Sequence, residues 1–197
     1  MAQITFWFEF ASTYSYLSAM RIEEMARKAE VDVIWKPFLL GPIFKAQNMD
    51  TSPFNIYPAK GGYMVRDITR IGESRGLTFR LPEPFPQNGL LAARIALTGL
   101  EEGWGKEFVL LVYKAEFAEG QDIADRSTLA AALKAAGAPV EQAFALAATP
   151  EIKSKLRANT DEAQAKGIFG APSFTTGDGE LFWGDDRLEQ ALLWSRR

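Results

Sequence analysis

A serine stands where the first hydrophobic strand pattern of this chain meets its first helical pattern. Residues 4–10 alternate in the manner of a strand, and Ala11-Ser12-Thr13-Tyr14 lead into the helix. Backbone N–H groups at the start of a helix lack partners within it, and with the helix dipole they favour negative charge. Ser12 is therefore the first candidate for a residue that stabilises an anion. The alternative is that Ser12 is only a helix N-cap, because serine is common there for structural reasons.

The 197 residues contain neither cysteine nor histidine. The absence of cysteine excludes disulfides, thiolate metal sites, CxxC redox chemistry and a cysteine nucleophile. The absence of histidine excludes the Ser/His/Asp triad, the HExxH zinc site and histidine acid-base catalysis. We therefore expect no metal, and an enzyme of this sequence would use hydroxyls, carboxylates, lysine, arginine, backbone dipoles or a reagent from outside.

The composition is that of an ordinary globular protein. With 47% hydrophobic and 24% charged residues, the chain can bury a substantial core as one domain or as one domain with an insertion. A net charge of -3, without a dense run of lysine or arginine, gives no sign of nucleic-acid binding. No signal-peptide pattern opens the chain, and no apolar run approaches the roughly 18 residues of a membrane span. We therefore expect a cytoplasmic protein with no membrane partner.

The start of the chain has the pattern of a β-α-β unit. Residues 4–10 and 31–35 show the alternation of strands, and the segment between them has the apolar spacing of a helix. Two strands joined by a helix of this length are normally parallel. We therefore expect a parallel strand pair.

Strand patterns are confined to the two ends of the chain. Helical patterns dominate residues 37–167, and strands return at 173–176 and 180–183, before a last helix for which Asp185 and Asp186 offer a cap. This order predicts an α/β, thioredoxin-like fold with a large helical insertion. The predicted division is a discontinuous thioredoxin-like domain and an inserted helical subdomain: residues 1–36 with 168–197, and residues 37–167.

Six motifs, in order along almost the whole chain, resemble the 2-hydroxychromene-2-carboxylate isomerase family. This family lies in the DsbA-like branch of thioredoxin folds and is related to the kappa-class glutathione transferases. The ordered set is specific, although each motif is short. The motifs are F-E-F-A-S-T-Y-S-Y-L at 8–17, K-P-F-L-L-G at 36–41, P-A-K-G-G-Y-M-V-R-D at 58–67, F-P-Q-N at 85–88, G-I-F-G-A-P-S-F at 167–174 and F-W-G-D-D-R-L at 182–188.

Two positions depart from the pattern of that family. Glu9 stands where the family usually has aspartate, and Thr13 stands where it has proline after the serine. The first change lengthens a carboxylate by one methylene, and the second frees the φ angle that proline would fix at the helix start. Both leave the hydroxyl of Ser12 in place, so they bear on substrate identity more than on the fold.

The resemblance implies that the chain binds glutathione, whose thiol supplies the nucleophile that the chain lacks. A hydroxyl donor at a helix start favours the thiolate, which is the nucleophilic form, and by resemblance Ser12 is that catalytic donor. Thioredoxin-like folds have a cis-proline before the third strand. We therefore expect the Ala171–Pro172 bond to be cis, with the backbone of Ala171 pairing with the cysteinyl part of glutathione.

The resemblance also implies how the charged ends of the ligands are held. Asp186 aligns with an acid that pairs with the α-ammonium of glutathione, and Asp185 with its polar neighbour, while a capping role is the alternative for both. Lys60 is implied to pair with a carboxylate of glutathione or of the substrate, although a lone loop lysine is usually solvated surface. Asn48 and Arg66 are weaker candidates for the same carboxylate pocket. The resemblance also offers Tyr14, Phe38 and Phe85 as an aromatic wall around the substrate, although aromatic residues at such spacing are more often part of the core.

From this resemblance we expect a glutathione-dependent cis-trans isomerase of 2-hydroxychromene-2-carboxylate type substrates, which are small aromatic carboxylates of aromatic-compound degradation. We also expect a homodimer. A kappa-like glutathione transferase that conjugates electrophiles is one alternative, and a non-catalytic thioredoxin-like binding module is another. The isomerase and the transferase need the same thiolate site and differ only in the fate of the adduct, so both stay open.

Overall fold

The computed structural model describes residues 2–49 and 51–197. Within them, one mixed sheet contains the strands β1 (Ala2–Phe8), β2 (Val31–Pro37), β3 (Ser173–Thr176) and β4 (Leu181–Trp183), in the spatial order β2-β1-β3-β4. β1 and β2 are parallel, and β3 runs antiparallel to both β1 and β4. The expected parallel β-α-β unit and the thioredoxin-like α/β fold are confirmed.

Most helices of the described chain lie between β2 and β3. No helix among residues 2–49 and 51–197 is both long enough and apolar enough to cross a lipid bilayer. A short 3-10 helix, Asp185–Arg187, precedes the last α-helix. The α-helices are α1 (Thr13–Ala19), α2 (Ile22–Ala29), α3 (Leu40–Ala46), α4 (Pro53–Ile56), α5 (Pro58–Ser74), α6 (Leu90–Glu102), α7 (Gly105–Phe117), α8 (Arg126–Ala135), α9 (Val140–Ala147), α10 (Pro150–Ala165) and α11 (Leu188–Trp194).

The central strand β1 is buried on both faces. On one face Ile4, Phe6 and Phe8 belong to the main hydrophobic core, and on the other Trp7 packs edge-on against Phe38 with ring centroids 6.1 Å apart. Apolar side chains of the helices between β2 and β3 belong to the same main core. That core therefore runs through both predicted parts of the chain, and their division into a domain and an inserted subdomain stays a prediction.

β1 ends at Phe8, two residues before the predicted end. The carbonyl of Glu9 accepts the N–H of Ser12 at 3.0 Å, which turns the chain out of the sheet before α1 begins. Phe10 is nevertheless buried, because it packs against the backbone of Gly89. The two are so close that a Cβ added at Gly89 would lie 2.8 Å from Phe10 Cβ. The apolar alternation continues past the strand because Phe10 packs in the core.

Asp185 does not cap the last helix. Its carboxylate is 3% exposed and accepts hydrogen bonds from Arg21 Nε at 3.1 Å, from an Arg75 guanidinium nitrogen at 2.8 Å and from the Ser18 hydroxyl at 2.9 Å. α11 starts without a side-chain cap, so the predicted capping by Asp185 and Asp186 is wrong. Asp185 instead connects α1 and the end of α5 to the 3-10 helix.

We expect Asp185→Asn to lower the free energy of unfolding by roughly 2–3 kcal/mol, because an amide cannot neutralise the two guanidinium groups. The loss stays below that of a fully buried pair, since the side chains of Arg21 and Arg75 are 18% and 29% exposed. Urea unfolding at neutral pH measures it. Asp186→Asn is the matched control, because that side chain is 73% exposed, and it should change stability by less than about 0.5 kcal/mol. Equal losses in the two variants would contradict the role of Asp185.

Candidate active site

A cavity of about 740 Å³ opens where the turn between β1 and α1 faces the helical segment. Its volume lies in the range of small-molecule sites. The ionisable side chains among its described lining residues are Glu9, Tyr14 and Lys60. The described residues contain no cluster of acidic side chains placed to hold a metal ion. Apolar and aromatic groups form much of the wall, among them Leu39, Phe44, Phe54, Phe85, Phe169 and Trp183.

Ser12 lines this cavity and also caps α1. Its Oγ accepts the backbone N–H of Ser15 at 3.1 Å and donates its hydrogen to the carbonyl of Ala171 at 2.8 Å. One hydroxyl therefore caps the helix and lines the cavity, and its role toward an anion stays a prediction. Because a hydroxyl rotates about its Cβ–Oγ bond, a stronger acceptor in the cavity can compete for this hydrogen.

The Ala171–Pro172 peptide bond is cis, as the resemblance implies. Ala171 lines the cavity wall, and its N–H has no hydrogen-bond partner within the described residues. The indole of Trp183 lies against this segment, where a Cβ at Gly170 would come within 2.4 Å of Trp183 Nε1. Among the described residues, Ala171 therefore has a backbone N–H without a partner, next to the carbonyl that the hydroxyl of Ser12 contacts.

A smaller cavity of about 320 Å³ adjoins the first and shares Tyr14, Ala171 and Trp183 with it. Tyr14 donates its hydroxyl hydrogen to Asp67 at 2.9 Å, and Asp67 also accepts from Arg70 at 3.1 Å. Desolvation and then the bond to Asp67 raise the pKa of Tyr14, so the phenol stays neutral. Asp186 lines the same space with an exposed carboxylate. With Asp185, three acidic residues line this cavity, and a carboxylate that is free there suits a cationic group such as an ammonium.

Asp185 and Asp186, the two neighbouring acids that the resemblance assigns to the cofactor, have different surroundings in the structure. Asp185 borders the smaller cavity, but its carboxylate already accepts from Arg21, Arg75 and Ser18. The geometry therefore does not support a cofactor-binding role for Asp185. It leaves Asp186 as the acid of this pair that a ligand can reach.

Lys60 and part of the expected aromatic wall do reach the main cavity. Lys60 lines it with the ammonium 4.8 Å from the centre of the Tyr57 ring. Tyr14 and Phe85 also line it, and Phe85 packs edge-on against Phe54 with centroids 4.8 Å apart. Among its described lining residues the cavity thus combines aromatic surface with the cation of Lys60.

Three other expected substrate contacts are not among the described residues that line either cavity. Phe38 is fully buried in a second hydrophobic cluster on the far face of β1. Asn48 is exposed in a left-handed conformation with φ of 60°, while its neighbours Gln47 and Met49 line the cavity instead. Arg66 is exposed on α5 outside both cavities. A position inside a motif, or next to residues that line the cavity, does not determine the direction of a side chain.

Glu9 lines the main cavity, although the sequence analysis assigned it no role there. Desolvation by burial raises its pKa to about 8, while the backbone N–H of Ala11 acts in the opposite direction. The Tyr113 hydroxyl donates to the Glu9 carbonyl at 3.0 Å, and Glu116 on the same helix is fully buried without a hydrogen-bond partner in the described chain. Burial and neighbouring acids raise the pKa values of Tyr113 and Glu116 as well. The signal in the sequence that could have identified Glu9 is a glutamate inside an otherwise apolar stretch.

Comparison with known proteins gives concordant matches over nearly the whole chain. Residues 3–192 match the family model of the DSBA-like thioredoxin domain. Glutathione S-transferase kappa 2 of Caenorhabditis elegans is 28% identical over 204 residues, which cover 95% of this chain and 88% of that protein. The 2-hydroxychromene-2-carboxylate isomerase of Sphingobium xenophagum is 25% identical over 187 residues, which cover 94% of each.

A solved structure of a 2-hydroxychromene-2-carboxylate isomerase has the same fold. It superposes with a TM-score of 0.86 at 22% sequence identity, and the match covers 98% of this chain and 93% of that one. The proteins that this chain resembles are therefore enzymes, and their common architecture is the thioredoxin-like fold described above.

We expect the free energy of unfolding to fall as the pH rises from about 4.5 to about 8, the ordinary and the raised pKa of Glu9. A carboxyl with a higher pKa in the folded state binds its proton more tightly when folded. Its contribution is therefore complete below the unfolded pKa and is lost as the pH rises through the folded pKa. One such group gives a slope of at most about 1.4 kcal/mol per pH unit. Urea unfolding across this pH range measures the slope.

Glu116→Gln should flatten this curve, because glutamine has the shape of the protonated acid and removes the fully buried carboxyl near Glu9. Stability at pH above 8 should then exceed that of the wild type. Glu107→Gln, on the exposed face of the same helix, is the control and should leave the curve unchanged. A Glu116→Gln curve as steep as the wild-type curve would contradict this account.

Proposed function

The chain belongs to the DSBA-like thioredoxin domain family, and we propose that it is a glutathione-dependent cis-trans isomerase of 2-hydroxychromene-2-carboxylate type substrates. One observation carries this proposal: the Ser12 hydroxyl lines a cavity beside the cis Ala171–Pro172 segment, in a sequence without cysteine. Thiol chemistry at such a site needs a thiol that arrives with a ligand. Disulfide exchange by thiols of these 197 residues is excluded for the same reason.

In this proposal the sulfur of glutathione binds at Ser12. A free thiol has a pKa of about 8.5, so a hydroxyl donor at a helix start favours formation of the thiolate at neutral pH. The hydrogen that Ser12 donates to the Ala171 carbonyl turns toward the sulfur, while the Ser15 N–H keeps its bond to Oγ. The free N–H of Ala171 then pairs with the cysteinyl part of the ligand.

The charged groups around the two cavities suit the two ends of glutathione. Asp186 holds the α-ammonium in the smaller cavity. Lys60 holds a carboxylate, either that of the glycyl end or that of the substrate. The ligand then spans from the smaller cavity past Ala171 into the main one, because Ala171 borders both.

The bound thiolate adds to the enone of the ring-opened substrate, which turns a double bond into a single bond. Rotation about that bond and expulsion of the same thiolate give the trans benzylidenepyruvate and regenerate glutathione. The aromatic surface at Tyr14, Phe54 and Phe85 supplies the wall against which the substrate ring packs. The protein's contribution is positioning and stabilisation of the thiolate.

A kappa-like glutathione transferase is the second candidate, favoured by the 28% identity with the kappa relative. It uses the same thiolate but releases the conjugate instead of expelling the thiolate. A non-catalytic binding module keeps the cavity and performs no turnover.

We expect Ser12→Ala to reduce turnover by at least tenfold, because it removes the hydrogen-bond donor to the thiolate. Removal of the cap should lower stability by only about 0.5–2 kcal/mol, so the variant should stay folded at room temperature. Steady-state kinetics with saturating glutathione, together with urea unfolding, separate the two effects.

Thr149→Ala is the matched control for Ser12→Ala. Thr149 caps α10 by accepting the N–H of Ile152 at 3.3 Å and does not line the main cavity. It should lose a similar amount of stability and keep wild-type turnover. Wild-type turnover in Ser12→Ala as well would refute the catalytic role of Ser12.

Glutathione should be needed only in catalytic amounts if the proposal is correct, since an isomerase returns the thiolate after each turnover. The test is the free-thiol concentration through many turnovers of a chromene carboxylate. Constant thiol with accumulating product supports the isomerase. Loss of one thiol per product, with a thioether formed, would assign the chain to the transferases. If glutathione had no effect on substrate or protein, the non-catalytic binding module would be the remaining candidate.

A further inference from the structure

We propose that Glu9 is the general acid and base of the main cavity. Its carboxyl group protonates the oxyanion that forms when a thiolate adds to the substrate, and it takes the proton back when the thiolate leaves. This inference deepens the proposed function and rests on it.

The backbone places Glu9 and Ser12 on one turn, and both residues line the main cavity. The Glu9 carbonyl accepts the N–H of Ser12 at 3.0 Å and the hydroxyl of Tyr113 at 3.0 Å, which fixes the turn from two sides. Gly89 closes the turn from the third side, where an added Cβ would lie 3.8 Å from a Glu9 carboxylate oxygen. The turn is therefore fixed at the cavity wall, and the carboxyl of Glu9 lies against Gly89, which also lines the cavity.

The ionisable groups that face Glu9 do not neutralise a negative charge on it. Tyr113 and Glu116 reach it from α7, and both are fully buried acids. Tyr14 of α1 and Lys60 of α5 are the other ionisable groups among the described lining residues, and no ion pair joins Glu9 to a cation in the described chain. Burial raises the pKa of Glu9 to about 8. A carboxyl with a pKa near the working pH can both give and take a proton.

The proposed step is balanced in protons and electrons. The thiolate forms a C–S bond to the enone, and the displaced π electrons move onto the substrate carbonyl oxygen, which becomes an enolate oxyanion. The Glu9 carboxylic acid donates its proton to this oxygen and becomes a carboxylate. After rotation about the new single bond, the carboxylate removes the proton, the carbonyl and the C=C bond re-form, and the C–S bond breaks to release the thiolate. No other reagent is consumed.

The test compares Glu9→Gln with the wild type in glutathione-dependent isomerisation of a chromene carboxylate over a range of pH. Glutamine keeps the size of the protonated acid but transfers no proton, so kcat should fall by about 10²–10⁴-fold at pH 7. The Kd for glutathione, from isothermal titration, should stay within about twofold of the wild-type value. The wild type should lose kcat as the pH rises above about 8, the pKa of Glu9, and the residual activity of Glu9→Gln should lack this alkaline limb.

Two further variants make the result specific. Glu9→Asp keeps a titrating acid. Its kcat should exceed that of Glu9→Gln more than tenfold, and its pH profile should keep an alkaline limb. Glu116→Gln removes the neighbouring buried acid, which does not line the main cavity, and it should keep kcat at pH 7 within about twofold. A role of Glu9 in packing alone would not move the alkaline limb.

The role of Glu9 and the proposed function can be refuted by different results. If the wild type isomerises the substrate with glutathione and Glu9→Gln retains kcat within about threefold with an unchanged alkaline limb, the role of Glu9 is overturned and the proposed function stands. If the wild type shows no glutathione-dependent isomerisation, the proposed function fails and the role of Glu9 fails with it.

Discussion

The antiparallel pairing of β1 with β3 is the constraint on which the candidate site depends. Trp7 pairs with Ser173 in this register, so the end of the first strand and the start of the third lie side by side. The chain beyond each strand then brings Ser12 and Ala171 to within 2.8 Å, although 159 residues separate them. Burial of β1 on both faces holds the register, because a slip of one residue would exchange its two sets of side chains between faces.

The absence of cysteine and histidine changes what this architecture can do. A thioredoxin-like site without its own thiol retains a hydroxyl at a helix start and a free backbone N–H beside a cis-proline, both suited to a sulfur that a ligand brings. Desolvation of the Glu9 carboxyl in the same cavity has the opposite effect, because it raises the pKa of that group and favours the neutral acid. The proposed function therefore places one anion on the ligand and one neutral acid on the protein within a single turn of chain.

Asp185 and Asp186 show how tertiary contacts give adjacent, chemically identical residues different roles. Asp185 faces α1 and the end of α5, where Arg21 and Arg75 surround its carboxylate. Asp186 faces solvent and the smaller cavity, with only the neighbouring Arg187 as an ion-pair partner in the described chain. Asp185 connects elements of the fold, and Asp186 lies next to it in the wall of the smaller cavity.

The sequence by itself determined the fold class, the strand order along the chain, the absence of thiol and imidazole chemistry, and the position of Ser12 at a strand-to-helix turn. These follow from composition and from local periodicity, which depend on residues only a few positions apart. Only the tertiary structure decided that Phe38, Asn48 and Arg66 lie away from the cavity and that Glu9 lies in it. Which face of an element meets a cavity, and which groups desolvate a carboxyl, depends on segments far away in the chain, and neither spacing nor residue type encodes those contacts.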